Sequence, residues 1–90
     1  DAARQVTWSL INRGDQFFLR ADNQTPYFIT YKKIVLKSDK DIQTLAQPGM
    51  VSPYSVKEFT MPGKKLYGAS VIWTVINDYG GYEEGKSSIK

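Results

Sequence analysis

Val71-Ile72-Trp73-Thr74-Val75-Ile76-Asn77 is the stretch whose reading decides the fold. Nearly every position is apolar or β-branched, which makes it the strongest strand of the chain. A run apolar on both faces is expected at the centre of the fold, between two layers. Asp78-Tyr79-Gly80-Gly81 then ends it with turn-forming residues.

Working outward, shorter segments of the same kind appear. Val6-Thr7-Trp8-Ser9-Leu10 alternates apolar and small polar residues with period two, as a half-buried strand does. Asn12-Arg13-Gly14-Asp15 supplies a turn, and Gln16 to Asp22 forms a second strand with Phe17, Leu19 and Ala21 on one face and Phe18 and Arg20 on the other. Together they read as a hairpin. Asn23-Gln24-Thr25-Pro26 interrupts, because proline cannot donate to a ladder and holds the residue before it extended. Tyr27 to Leu36 resumes as a longer strand in which Lys32-Lys33 marks a bulge or a switch of faces. Ser38 to Gln47 is the one helical candidate, with Ser38 and Asp41 as a weak capping box and Ile42, Leu45 and Ala46 at helical spacing; a loop with a short strand fits the same residues. Pro48-Gly49 reads as a turn, and Tyr54 to Met61 as a strand with Tyr54, Val56 and Glu58 on one side and Ser55, Lys57 and Phe59 on the other. Pro62-Gly63-Lys64-Lys65 reads as an exposed turn, and Tyr82 to Lys90 as a weak edge strand or a frayed tail.

Composition agrees. Six Val, seven Ile, six Thr, six Tyr, four Phe and two Trp make up 31 of 90 residues, against five each of Ala and Leu. A hydrophobic fraction of 41% and a charged fraction of 23% belong to a folded globular chain of one domain, residues 1–90. Six or seven short strands with turn signals about every ten residues imply two antiparallel sheets packed face to face, with a small closed barrel as the alternative.

The chain has neither cysteine nor histidine. That excludes a disulfide framework, a Ser-His-Asp triad, a Cys-His pair and the two commonest zinc ligands. Its carboxylates fall mostly in apparent turns, so an enzyme is not expected, and no cofactor is implied. Asp39 and Asp41 with Ser38 resemble a calcium loop in composition but lack its glycine and bidentate Glu. Asn23-Gln24-Thr25 matches the glycosylation triplet, with Pro26 directly behind it. The net charge is +3 with twelve Lys and Arg, but only Lys32-Lys33 and Lys64-Lys65 are adjacent, so a nucleic-acid partner is not expected. No apolar run approaches the roughly 20 residues of a membrane span. Asp1-Ala2-Ala3-Arg4-Gln5 reads as the start of a mature or excised chain rather than a signal peptide.

Most of Tyr27, Phe28, Tyr31, Tyr54, Tyr67, Tyr79 and Tyr82 are read first as core and sheet-face residues. A carbohydrate-binding module would use such rings as stacking platforms, and an exposed strand edge could pair with an extended partner. Asp78 is the polar residue that stands out, between the most apolar strand and a Gly-Gly turn: either an Asx turn closing the strand or a charge paired outside the chain.

Three blocks in order carry a resemblance. Asn23-Gln24-Thr25-Pro26-Tyr27-Phe28, then Gly49-Met50-Val51-Ser52-Pro53-Tyr54-Ser55 followed by Phe59 and Pro62, then Val71 through Gly81 are similar to the C-terminal domain of the PapD-like periplasmic chaperones of the fimbrial chaperone-usher pathway. Order and spacing agree over roughly residues 16 to 82. Gln24 stands where the family has a proline, and the cysteine pair of some members is absent. The resemblance implies an all-β, immunoglobulin-like sandwich of about seven short strands without a disulfide. Asn23, Thr25, Pro26, Tyr27, Pro53, Asn77 and Gly80 are the positions expected to carry its structural motif. It further implies a periplasmic, non-enzymatic role: one wall of a cleft that holds pilus subunits for an outer-membrane usher, with Asp78 in a salt bridge to the N-terminal chaperone domain. The donated strand and the anchors for the pilin carboxyl terminus belong to that first domain.

Overall fold

A computed structural model describes residues 2–61, 68–77 and 79–89. Among these, a turn of 3-10 helix (Ala2–Gln5) leads into seven strands: β1 (Thr7–Arg13), β2 (Gln16–Asn23), β3 (Ile29–Lys37), β4 (Ile42–Val51), β5 (Ser55–Met61), β6 (Ser70–Ile76) and β7 (Tyr82–Ser88). They form a three-stranded sheet in the order β1-β2-β5 and a four-stranded sheet in the order β4-β3-β6-β7, with every neighbouring pair antiparallel. This is the expected all-β, immunoglobulin-like sandwich.

Period-two alternation puts one face of each sheet inside. Leu19 and Ala21 of β2, Ile34 and Leu36 of β3, and Val71, Trp73 and Val75 of β6 are buried, together with Trp8 of β1 and Phe59 and Met61 of β5. Each aliphatic side chain so buried stabilises the fold by roughly 1.5–3 kcal/mol, so the shared inner face is what holds the two sheets together. Trp8 meets Tyr31 across the layers edge to face, with ring centroids 5.5 Å apart and planes at 72°.

β6 is central in the hydrogen-bonding sense, between β3 and β7, but it is not covered on both faces. Ile72 and Thr74 are half-buried and Ile76 is exposed. Cross-strand neighbours shade the outer face instead: Val35 and Lys86 flank Ile72.

Two readings are corrected along β4. Ser38 to Gln47 contains neither a helix nor merely a short strand: residues 42–51 are one ten-residue strand. The amide of Asp41 does donate to Ser38 Oγ at 3.1 Å, but with the Ser38 amide donating to the Asp41 oxygen at 2.9 Å it closes the β3–β4 turn. Pro48-Gly49 is a bend inside β4, not a connection. β4 is an edge strand paired only with β3, where a proline removes no ladder bond. Gln47 (φ 52°) and Gly49 (φ 100°) take left-handed conformations opposite the register shift between Tyr31 and Lys33, the bulge that Lys32-Lys33 signalled. Elsewhere the limits move slightly. β1 runs on through Arg13, β3 begins only after Phe28, and β7 is a paired edge strand rather than a tail. The expected Pro62–Lys65 turn lies outside the described residues.

Gly85 of β7 sits opposite Trp73, and a Cβ there would come within 2.2 Å of the indole ring. The ring covers the glycine, its Nε1 donates to Ser87 Oγ at 3.0 Å, and the Arg4 guanidinium stands 5.5 Å from its centroid. Gly85→Ala is therefore expected to destabilise the chain by about 3 kcal/mol, read by urea denaturation, since an indole without free space must move. Tyr31 gives a pH dependence. Its buried hydroxyl has no partner among the described residues, and desolvation raises its pKa far above the usual tyrosine value. Because the folded pKa is raised, its contribution is intact below about pH 10, where the unfolded phenol titrates, and is lost as pH rises beyond that toward the folded value. Tyr31→Phe should flatten the alkaline fall in stability and, at neutral pH, leave stability unchanged or raise it by about 1 kcal/mol.

Candidate functional site

One pole of the sandwich gathers the three sequence blocks. The start of β1 pairs with the end of β2, the end of β2 with the start of β5, and the starts of β3 and β7 with the ends of β4 and β6. Residues 24–28, 52–54, 77 and 79–81 therefore lie together there, beside the N-terminal 3-10 turn. Two of these segments carry the chain from one sheet to the other, and their main-chain groups must be satisfied without a ladder.

Asn23 does this from the end of β2. Its side chain is fully buried; Nδ2 donates to the main-chain oxygens of Tyr27 at 2.8 Å and Ser52 at 3.0 Å. Its Oδ1 accepts from the Thr25 amide at 3.0 Å and the Thr25 hydroxyl at 2.6 Å. The Tyr27 amide donates to Thr25 Oγ1 at 3.3 Å, and the Tyr54 amide to the Thr25 oxygen at 3.1 Å. Pro26 lies exposed between Thr25 and Tyr27, and the Pro53 oxygen accepts from Ser55 Oγ at 2.9 Å. The first two blocks are thus one hydrogen-bonded unit. The burial of Asn23 removes it as a glycan acceptor.

Asn77 closes the third block. Its Oδ1 accepts from the amides of Tyr79 at 3.0 Å and Gly81 at 2.9 Å, its amide donates to the Gly81 oxygen at 2.8 Å, and Gly80, at φ 80°, donates to the Asn77 oxygen at 3.0 Å. The Asx bonds at this strand end come from Asn77, a role the sequence reading had offered to Asp78. Asp78 itself lies outside the described residues, between Asn77 and the nearly fully exposed Tyr79 (97%).

The rings depart most from expectation. Tyr31 is core, but Tyr27 (64%), Phe28 (62%), Tyr54, Tyr79 and Tyr82 are exposed, and Tyr67 lies outside the described residues. With Met50, Val56 and Ile76 they make up every exposed large apolar residue described except Ile42, and all of these stand at or beside this pole. Of these, Tyr27, Phe28 and Ile76 line a groove of about 780 Å³, walled also by Ala2, Ala3 and Gln5 of the 3-10 turn, Ile29, Val75, Asn77 and Glu83. Sequence reading missed the groove because its walls come from four separate segments. Among the described residues no group of three or more acidic side chains converges. No helix among them is long and apolar enough to cross a membrane.

The profile of the family described as "Pili assembly chaperone PapD, C-terminal domain" matches residues 1–87. The chain belongs to this family. Its members are chaperones, a non-enzymatic class. Two chaperone proteins HifB of Haemophilus influenzae are 32% and 31% identical over 85 and 87 residues, which is 94% and 97% of this chain. The chain spans about a third of their length, 32% in each case. Among solved structures, the CupB2 chaperone of Pseudomonas aeruginosa superposes with a TM-score of 0.81 at 30% identity over 99% of this chain and 41% of that one. The YadV chaperone does so with a TM-score of 0.86 at 26% identity over 98% and 43%.

The two asparagines of this chaperone domain should differ sharply in weight. Asn23→Ala leaves buried main-chain oxygens of both crossings unpaired and is expected to cost about 3 kcal/mol or more in chemical denaturation. Asn77→Ala frees a solvated turn and should cost about 1 kcal/mol.

Proposed function

We propose that these 90 residues form the second of two immunoglobulin-like domains of a fimbrial chaperone in the periplasm of a Gram-negative bacterium. In this reading the whole protein binds and stabilises pilus subunits and delivers them to an outer-membrane usher, and this domain is one wall of the subunit-binding cleft. The observation that carries it is the concentration of exposed apolar side chains and the groove at a single pole. Clustered exposed apolar side chains mark an interaction site, and a domain taken alone shows such a surface where its neighbour packs. The partial coverage of the relatives supports a neighbour, since the matched chaperones are more than twice this length.

Asp78 enters by its place in the sequence. It follows Asn77 of the groove, and by resemblance it joins the salt bridge network between the two domains. The physical logic of the cleft is strand protection: an unfinished subunit exposes an apolar sheet edge that aggregates unless another strand covers it. The donated strand belongs to the first domain, so this domain contributes wall and angle but no covering strand. No cofactor, nucleic-acid partner or membrane insertion enters the mechanism. The exposed Tyr27, Tyr54, Tyr79 and Tyr82 also favour a second reading, a carbohydrate-binding module, which a glycan-array signal abolished by substituting one of these tyrosines would identify.

Calorimetry separates the possibilities. The 90-residue chain should bind a cognate pilus subunit weakly or not at all while the full-length chaperone binds it tightly, and tight binding by the 90 residues alone would overturn the cleft-wall role. Asp78→Asn should leave the stability of this chain nearly unchanged and lower that of the full-length protein. A loss above about 2 kcal/mol in the 90-residue chain would make Asp78 a local cap instead.

A further inference from the structure

The strand faces of this chain divide its charge. Val71, Trp73 and Val75 of β6 are buried, so Ile72 and Thr74 between them belong to the outer face of the four-stranded sheet, and their cross-strand partners share it. Lys33 and Glu84 lie opposite Thr74, Val35 and Lys86 opposite Ile72, and Lys37 opposite Ser70. Lys32 joins this face from the bulge, its ammonium 5.1 Å from the ring centroid of Tyr82, which pairs with Ile76. Four exposed lysines therefore stand against one glutamate, and among the described residues none of the four forms an ion pair. The outer face of the three-stranded sheet is balanced instead: Arg13 and Arg20 share it with Asp22 and Glu58, and Arg13 is bonded to Glu58. Along β3 Lys33 and Lys37 are about 13 Å apart, and Lys86 stands two strands, about 10 Å, from Val35 between them. These spacings are close to the screening length of roughly 10 Å at 0.1 M salt, so below that ionic strength the lysines act as one field.

We propose that the outer face of the four-stranded sheet docks on an anionic phospholipid surface. The inference goes beyond the cleft-wall reading and does not depend on it, since none of these lysines lines the groove at the pole. The kind of cation argues for lipid. Fixed carboxylate or phosphate groups of a folded partner are matched best by the forked guanidinium, and here the strand-face arginines are on the other sheet. Lysine is a compact point charge that asks no fixed geometry of its partner, as suits headgroups that diffuse in a plane. The apolar side chains on the same face point the same way. Ile42, opposite Lys37 in β4, and Tyr82, opposite Ile76 in β7, are 62% and 61% exposed. An aliphatic side chain and an aromatic ring beside lysines can enter the headgroup layer while the lysine stems reach to the phosphates, whereas neither has a use against a purely charged partner. The contact is peripheral, made by a sheet face that stays folded and spans nothing.

Vesicle flotation with the 90-residue chain tests this. Wild type should float with vesicles of phosphatidylglycerol and phosphatidylcholine at low salt, stay behind with phosphatidylcholine alone, and be released in about 0.5 M salt. A folded wild type that does not float with the anionic vesicles overturns the proposal. Lys33→Gln with Lys37→Gln should weaken partitioning by about tenfold, while Arg13→Gln with Arg20→Gln, which leaves the same net charge, should change it by less than about twofold. Equal weakening by the two pairs makes net charge the cause and overturns the assignment to this face. Ile42→Ser should weaken partitioning by about threefold, and no change removes the apolar part of the contact and with it the case for lipid. Polyglutamate and duplex DNA, added as competitors, should displace the chain poorly. Binding to either as tight as to the vesicles makes the face a site for an acidic protein or a nucleic acid and overturns the lipid assignment.

Discussion

The carboxamide of Asn23 is the constraint on which the arrangement of this molecule depends. A two-sheet sandwich must pass its chain between layers, and each passage strips backbone groups of their ladder partners. Here the passage from β2 to β3 and the one from β4 to β5 run side by side, and a single buried amide serves both. Asparagine suits this position because it offers two donors and an acceptor in one plane. An aspartate would bring acceptors where carbonyl oxygens already crowd. Thr25 completes the unit by accepting from one passage with its hydroxyl and from the other with its main-chain oxygen.

That knot fixes what the pole displays. With residues 24–28 held from below, Tyr27 and Phe28 project outward instead of joining β3, and their rings form one wall of the groove. The opposite wall ends in Asn77, whose own turn bonds hold residues 79–81 in place. The two asparagines therefore do different work at one surface, one buried and joining the sheets, the other solvated and shaping a turn. An apolar surface supported in this way is pre-organised, so a partner docking there need not order it.

The legible part of the fold was the part written as alternation. β2 showed its faces through Phe17, Leu19 and Ala21 against Phe18 and Arg20, and the bulge announced itself where Lys32-Lys33 broke the period. The resemblance blocks were legible too, since Asn23, Thr25 and Asn77 are bonded to their own neighbours. β4 was not, because at an edge the usual breakers lose their meaning: Pro48 gives up no bond there and Gly49 serves a bend within the strand. Aromatic exposure was hidden as well. Tyr27 and Tyr31 share a parity in sequence, and only the start of β3 after Phe28 decides that one is solvent-facing and the other core. Gly85 was a readable signal passed over, for a glycine within a strand marks close approach, and Trp73 supplies it.

The two ends of the polar spectrum in this chain follow one rule. Tyr31 keeps a hydroxyl in the core with no partner among the described residues, and burial answers by holding it neutral. Arg13 and Glu58 sit on the outer face of the three-stranded sheet, where their paired side chains raise the one pKa and lower the other without joining the sheets. Lys57 lies between these limits, a full charge brought to the seam and matched there by two main-chain oxygens and a ring. Two of the three donors of this half-buried ammonium meet main-chain oxygens of β4. The oxygens that Lys57 meets in β4 and those that Asn23 meets at the pole follow the same requirement, that main-chain oxygens find a donor within the chain.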